Sequence, residues 1–348
     1  MANKMSSRKI YIQAAEQISC QKPLCEEWME EPVICNEPLV HAQEPAFREF
    51  IAPNELRRMG KVIKRALVTA LKVLRDTQTE HPEAIITGTS FGCLDSSEKF
   101  LDTLIENQEQ TLSPIGFMQS THNTISSALS INTKTHSYNT TYSHGPISFD
   151  LTLVDAWMQL QLGKIANALV CANDEMLEPY FELLKKSELV GLEGMVPCGE
   201  ISMSMMLTAN EPADALCELA GVRIMHRPTI ETLQQAVGRM LEQAHMSPSD
   251  LSAIMNGTNG KPAYDQHYEE IARQLFPNVP RLHYKHLFGE THTASAFGVY
   301  AAAHCLKRQT VPQSLYDKGS DVCPSLQSIL VVNHSESGDC SLVLLKKL

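Results

Sequence analysis

One pattern occurs twice in the 348 residues and leaves few folds open. Residues 54–76 (NELRRMGKVIKRALVTALKVLRD) place Leu56, Met59, Ile63, Ala66, Leu67, Ala70 and Leu74 on one helical face. The apolar strand of HPEAIITGTSFG follows and ends in Gly88-Thr89. Residues 231–245 (ETLQQAVGRMLEQAH) repeat the amphipathic helix, and a polar link leads into LSAIMNGTNG, a strand ending in Gly257-Thr258. The two halves also close alike. A helix over 148–163 precedes the strand NALVCAND, and an Ala-rich helix near 294–307 precedes the strand SILVVNH. A last strand follows each, introduced by Gly199-Glu200 in one case and by Gly338-Asp339 in the other. Apolar strands alternating with amphipathic helices predict mostly parallel sheets covered by helices. Two such sets predict a duplicated α/β core with halves 1–213 and 214–348, joined near 210–216, where polar residues and proline break the pattern.

A chain of this length can bury a large core, and 43% apolar with 20% charged residues fits a globular protein. The net charge of −11 argues against a general binder of nucleic acid or anionic membranes, since both need clustered positive charge. No apolar run reaches the roughly 20 residues that span a bilayer. The N-terminal MANKMSSRKI lacks an apolar signal core, so a cytoplasmic location is the default expectation. The ten cysteines form no C-x-x-C pair, which argues against a zinc ribbon, and Cys171 and Cys340 sit in apolar strands as small hydrophobes. His283, His286 and His292 are the closest group of histidines, but they lie in a segment that also needs ordinary loop residues. No metal site and no cofactor is expected.

Four stretches carry a family likeness. FMQSTHNTISSALSI (117–131) resembles P-S-x-x-x-N-x-x-(A/S)-(G/S), with Asn123 and Ser126-Ser127 in register. QLGKIANALVCANDEM (161–176) resembles G-x-A-D-x-x-(L/V)-x-G-G-x-E, and MNGTNGKPAYDQHYEEI (255–271) resembles H-G-T-x-T-x-x-x-D. YKHLFGETHTASAFGVYAAAHCL (284–306) resembles K-S-x-x-G-H-x-x-(G/A)-A-A-G. Together, over residues 8–346, they resemble the β-ketoacyl synthase family. That resemblance implies a thiolase-like, duplicated αβαβα layered fold. It also implies an acyl chain held on a cysteine thiolate at a helix N-terminus and two histidines that assist decarboxylation and bind the enolate oxygen. Here the cysteine position falls on Pro146, reached by counting back from Gly163 and forward from Asn123, and no cysteine lies between Cys93 and Cys171. Asn256 and Glu290 stand where the family has its histidines, while Lys285 and Gly289 are retained. The family's glycine-rich C-terminal loop is here Asn333-His-Ser-Glu-Ser-Gly338-Asp-Cys. Nucleophile, base and oxyanion partner act as a unit, so condensation by this chain alone is not expected.

Within the family the pattern resembles chain-length factors, in particular those of aryl polyene and related pigment pathways. The resemblance implies a partner, either a catalytic ketosynthase subunit in a heterodimer or a second copy in a homodimer, and an acyl carrier protein. It also implies that a strand near 136–142 pairs across the dimer axis and brings Tyr142 to Pro146 close to it.

Other residues admit a different chemistry. Thr141-Tyr-Ser143-His-Gly145 approaches the G-x-S-x-G elbow of hydrolases, which would make Ser143 a nucleophile; the alternative is a loop turning into a helix, with Gly145-Pro146 setting the turn and Ser148 available as a cap. His122, Asn123, Ser143 and His144 form a candidate pocket for acyl transfer or serine-type hydrolysis. Met203, Met205 and Met206 suit either core packing or contact with a long acyl chain. Helix 54–76 carries Arg57, Arg58, Lys61, Lys64, Arg65, Lys72 and Arg75. On an acidic chain it is a candidate docking face for an acidic carrier protein, or simply a solvated helix face.

Overall fold

A computed structural model describes residues 8–110, 112–323 and 325–348; residues 1–7, part of the segment examined above for a signal, lie outside it. Strands β1 (Tyr11–Ile18), β2 (Ala84–Gly88), β3 (Tyr138–Tyr142), β4 (Asn167–Asp174) and β5 (Ile201–Thr208) come first. Then follow β6 (Cys217–His226), β7 (Ala253–Asn256), β8 (Arg281–His283), β9 (Ser328–His334) and β10 (Asp339–Lys346). Helices α1 (Pro53–Leu56), α2 (Lys61–Asp76), α3 (Leu94–Glu106), α4 (Pro114–Gln119), α5 (Thr124–Thr133), α6 (Ser148–Gln161) and α7 (Glu178–Lys186) accompany the first set. The second set has α8 (Ile230–Gln243), α9 (Pro262–Leu275), α10 (Lys285–Phe288) and α11 (Ser295–Arg308).

The strands hydrogen-bond in the order β3-β2-β4-β5-β1-β6-β10-β9-β7-β8, so the second five mirror the first five about the β1–β6 join. That join is short, Tyr11 opposite Glu218 and Ile12 opposite Cys217. The expected mostly parallel sheet is instead mixed. β2 runs parallel to β3 and β4, and β7 to β8 and β9, whereas the β1–β5, β4–β5, β6–β10 and β9–β10 pairs are antiparallel. The reason is plain at β9–β10, where residues 335–338 connect the strands, too few for a parallel crossover. Ser335 N bonds Asp339 O at 2.8 Å, and Gly338 takes a φ of +96° to close the hairpin.

Alternation along the strands builds five layers. Ile85, Leu169, Cys171 and Met206 pack with Val62, Ala66, Leu67 and Ile125 of α2 and α5. Their neighbours Ile86, Ala168, Val170 and Met205 face a central layer containing Phe149 and Leu153 of α6 and Phe297 and Val299 of α11. On the other side of that layer lie Met255, Val331 and Val343. Ile254, Leu330, Val332 and Leu342 point outward to Leu233 and Tyr268 of α8 and α9. Helix, sheet, helix, sheet, helix is the thiolase-like order, and strands buried on both faces explain their continuous apolar runs. Met203, Met205 and Met206 are fully buried in this packing.

The helix expected over 54–76 is two. Extended backbone at Gly60 (φ −64°, ψ 164°) separates α1 from α2. A buried carboxylate fastens the central helices: Asp150 of α6 accepts from Ser295 Oγ of α11 (2.9 Å) and Ser341 Oγ of β10 (2.6 Å). Asp174, at the end of β4, accepts from Thr89 Oγ1 (2.9 Å) and the Ser90 and Phe91 amides, and from Thr293 Oγ1 at 2.7 Å. The strand ends of β2 and β4 are thereby tied to the loop before α11 in one rim. Among the described residues no helix is long and apolar enough to cross a membrane.

Candidate functional site

A cavity of about 250 Å³ opens at that rim. Phe91, Met176, Leu184, Leu189 and Val190 make its apolar wall. Opposite stand Pro146, Lys285, Glu290, His292 and Asn333. The doubled strand-to-loop turn thus assembles residues as far apart in the chain as Phe91 and Asn333.

Lys285 begins α10 and is 3% exposed. Its Nζ donates to Glu290 Oε2 at 2.8 Å and to the Tyr264 hydroxyl at 3.3 Å, and the Tyr264 hydroxyl in turn donates to His334 O. Burial acts to lower the ammonium pKa, but Glu290 and the surrounding tyrosine hydroxyls outweigh it and raise Lys285 above its ordinary value. Burial, reinforced by the Glu290 charge, holds Tyr264 well above the phenol range, so its proton stays. Glu290 is fixed from behind, its amide donating to Pro197 O (2.7 Å) and its carbonyl accepting from Gly199 N (2.8 Å). That contact needs the adjacent glycine: at Gly289, φ +91°, an added Cβ would meet Gly199 Cα at 2.9 Å.

Pro146 lies on the cavity wall in a 3₁₀ turn, Gly145–Ile147, that leads into α6. Gly145 has a φ of +53°, and Ser148 Oγ closes the turn, accepting from His144 N (2.8 Å) and donating to Gly145 O (2.7 Å). Asn333 Nδ2 reaches Pro146 O at 3.4 Å. Asn256 ends β7 and is buried but does not line the cavity, and its Oδ1 has no hydrogen-bond partner among the described residues.

The other sequence-derived residues lie elsewhere. His122 and Asn123 are exposed just before α5, His122 against Gly92 and Asn123 on a separate open groove with Ser126 and Thr141. Ser143 and His144 are exposed, and among the described residues no hydrogen bond joins Ser143 to a histidine. None of these four lines the cavity. His292 does, edge-on to the Phe91 ring at 4.8 Å, whereas His283 and His286 stack on each other at 3.9 Å, with His286 Nε2 at 2.8 Å from Ser314 O. The basic face is smaller than the sequence suggests. Arg57, Arg58 and Lys61 are exposed and Lys64 half-buried, but Arg65 is 3% exposed and paired with Glu200 (2.9 Å) and Glu44 (2.6 Å). Arg65 falls on the core side of α2, so it leaves the candidate docking set. Lys72 pairs with Glu16 and Asp76, and Arg75 covers the Phe50 ring.

Sequence reasoning missed Cys198, which lines the cavity from the loop before β5. Burial, with Glu290 adding repulsion, pushes its thiol up to about 12, so it is a protonated, unreactive wall residue near neutral pH. Its short segment, Pro-Cys-Gly-Glu, carried no signal beyond the glycine.

The family model "Beta-ketoacyl synthase, N-terminal domain" matches residues 26–260. Among solved structures, the ishigamide ketosynthase/chain length factor superposes with a TM-score of 0.82 at 15% identity, covering 98% of this chain and all of that one. A ketosynthase (ApeO) in complex with its chain length factor (ApeC) from Xenorhabdus doucetiae gives 0.78 at 17% identity and 98% of both chains. A β-ketoacyl synthase from Burkholderia phymatum gives 0.77 at 15%, with 98% and 100% covered. No curated protein matches the chain significantly.

Proposed function

The chain belongs to the β-ketoacyl synthase family, and from that premise we propose that it is a non-catalytic, chain-length-factor-like subunit that partners a catalytic ketosynthase. The observation that carries this is which residues stand at the family's catalytic positions. Where the family resemblance puts a thiolate and its assisting histidines, this chain has Pro146 and the Lys285–Glu290 ion pair on the cavity wall, and a buried Asn256 off it. Proline has no nucleophilic atom, and a carboxylate already bound to an ammonium is a poor stabiliser of a developing enolate. The thiol on the wall, Cys198, is held protonated. Together these remove the covalent step and the charge stabilisation that condensation needs.

The role that remains is structural. Strand β3 occupies one end of the sheet order, and its half-exposed residues Thr140, Thr141 and Tyr142 lead to Pro146. A partner adding to that edge would lie against the loop at the cavity mouth. The similar structures include a ketosynthase paired with its chain length factor, and another with its acyl-carrier protein, which supports both kinds of partner here. Arg57, Arg58, Lys61 and Lys64 offer the carrier's acidic surface a basic face.

Intact-mass spectrometry tests the proposal. The purified chain, mixed with an acyl-carrier thioester, is expected to acquire no acyl adduct and to leave the thioester unchanged. When a catalytic ketosynthase is added, the acyl mass should appear on that subunit alone. A stable adduct on this chain, or rapid thioester loss without the second subunit, would overturn it.

A further inference from the structure

One ammonium and two carboxylates stand on the cavity wall, Lys285, Glu290 and Glu336, with His292 as a further basic group. The ammonium is already engaged, with Glu290 Oε2 at 2.8 Å and the Tyr264 hydroxyl at 3.3 Å. Glu290 is only half used. Its Oε1 accepts no hydrogen bond among the described residues, and 17% of its side chain is exposed. The next residue, Thr291, also lines the cavity; it is 6% exposed, and its Oγ1 has no partner among the described residues. Glu336 is paired at 2.7 Å with Lys261, which does not itself line the cavity. Two neighbours register the sign of this wall. Burial raises both the Cys198 thiol and the Tyr264 hydroxyl, and Glu290 adds to it in each case, so a negative charge is disfavoured there. Facing these acceptors is the apolar wall that Phe91, Met176 and Val190 help to form.

We propose that this cavity is a binding site for a small amphiphilic primary amine, whose ammonium donates to Glu290 Oε1 and Thr291 Oγ1 while its hydrocarbon part lies against Phe91 and its apolar neighbours. A primary ammonium has three N–H donors and no acceptor, which matches a wall whose free groups are acceptors. A carboxylate has about four acceptor sites on two oxygens, so Glu290 can keep Lys285 on one oxygen and take a guest on the other. Lys285 repels such a guest, and the Glu290 and Glu336 charges outnumber it on the wall. The Phe91 ring offers the cation a π face as well. A carboxylate or phosphate guest would meet the same repulsion that keeps Cys198 and Tyr264 protonated. The volume of about 250 Å³ lies below the roughly 300 Å³ at which pockets for drug-sized ligands begin, so the guest is small. This assignment rests on the charges and free acceptors of the wall, not on whether the chain condenses acyl groups.

Calorimetric titration of the full-length chain near neutral pH tests it with three guests that share one tail: hexylamine, hexanol and hexanoate. Hexylamine is expected to bind about tenfold or more tighter than hexanol, the margin of a charge-assisted hydrogen bond, and hexanoate to bind most weakly. Glu290→Gln should bring hexylamine down to the affinity of hexanol. Thr291→Val keeps the shape of the wall and every charge on it, and should weaken hexylamine several-fold. Circular dichroism confirms that each variant is folded; if Glu290→Gln is not, Thr291→Val carries the test. The proposal is overturned if folded wild type binds none of the three, binds hexanol as tightly as hexylamine, or prefers hexanoate. It is equally overturned if the preference for hexylamine survives Glu290→Gln, or if Thr291→Val leaves hexylamine binding unchanged. Because the readout is binding, an acyl adduct that sank the non-catalytic role would leave this result standing.

Discussion

Arg65–Glu200 among the first five strands and Lys285–Glu290 among the second five are both buried ion pairs, and the two are built to different ends. In the first half Arg65 offers a fork: Nη1 to Glu200 (2.9 Å), and Nη2 and Nε to Glu44 (2.6 and 3.0 Å). Glu200 also accepts from Ala42 N at 2.9 Å. Neither Arg65 nor Glu200 borders the cavity. Burial acts to raise Glu200, but Arg65 wins and holds it below the usual carboxylate range. In the second half Lys285 is a point charge with one carboxylate and one phenol for company, and Glu290 faces the cavity with 17% of its side chain exposed. The saturated pair is a brace. The sparsely held pair sets the charge of a binding surface, because only there can a ligand or water take a place beside it.

The largest effect is expected at Arg65. Arg65→Ala leaves Glu200 buried without its cation and should cost about 3–5 kcal/mol in urea unfolding; a loss under about 1 kcal/mol would mean that the brace is idle.

A second carboxylate sharpens the first-half pair. Glu175 is 3% exposed and accepts from Asp95 N at 3.0 Å, yet burial pushes it up to about 7, with Asp95 and Glu200 adding repulsion. It binds its proton more tightly folded than unfolded. Stability should therefore fall as pH rises from about 4.5 to about 7 and then level off. Removing the charge in Glu175→Gln should raise stability at pH 8 by about 1–3 kcal/mol and flatten that slope. Denaturant midpoints at pH 5 and 8 decide it, and a slope unchanged from wild type would assign the titration elsewhere.

The smallest effect is expected in the second half. Glu290→Gln keeps an acceptor for Lys285 and leaves its ammonium without a counter-charge beside a cavity that admits water, so the loss should be about 1–2 kcal/mol. If Glu290→Gln cost as much as Arg65→Ala, the two pairs would be equivalent braces.

Much of the fold was legible because periodicity reports burial. The Gly88-Thr89 and Gly257-Thr258 turns ended strands as expected, and α2, α6, α8 and α11 sit where helical spacing put them. β1 and β6, the strands that join the two sets, were not anticipated. The break at Gly60 was missed because Leu56 and Met59 pack against the same core as α2, so the apolar face continues across it. At the site, Lys285, Glu290 and Pro146 were singled out from motif spacing, and the fold places them on one cavity. Ser143 and His144 came from a short likeness to a nucleophile elbow, and Asn123 from a motif register beside His122; neither signal says in which direction an exposed loop turns, and none of the four lines the cavity.

The sequence by itself determined the doubled α/β pattern, the strand-ending glycines and the residue types at the motif positions, since these depend on local period and on chemistry carried by single residues. Only the tertiary structure decided that Arg65 is a core cation while Lys61 is exposed, that Glu290 answers Lys285 across 2.8 Å, and that Cys198 shares their cavity. Charge and thiol reactivity follow solvation and partners, and those are fixed by contacts between segments far apart in the chain.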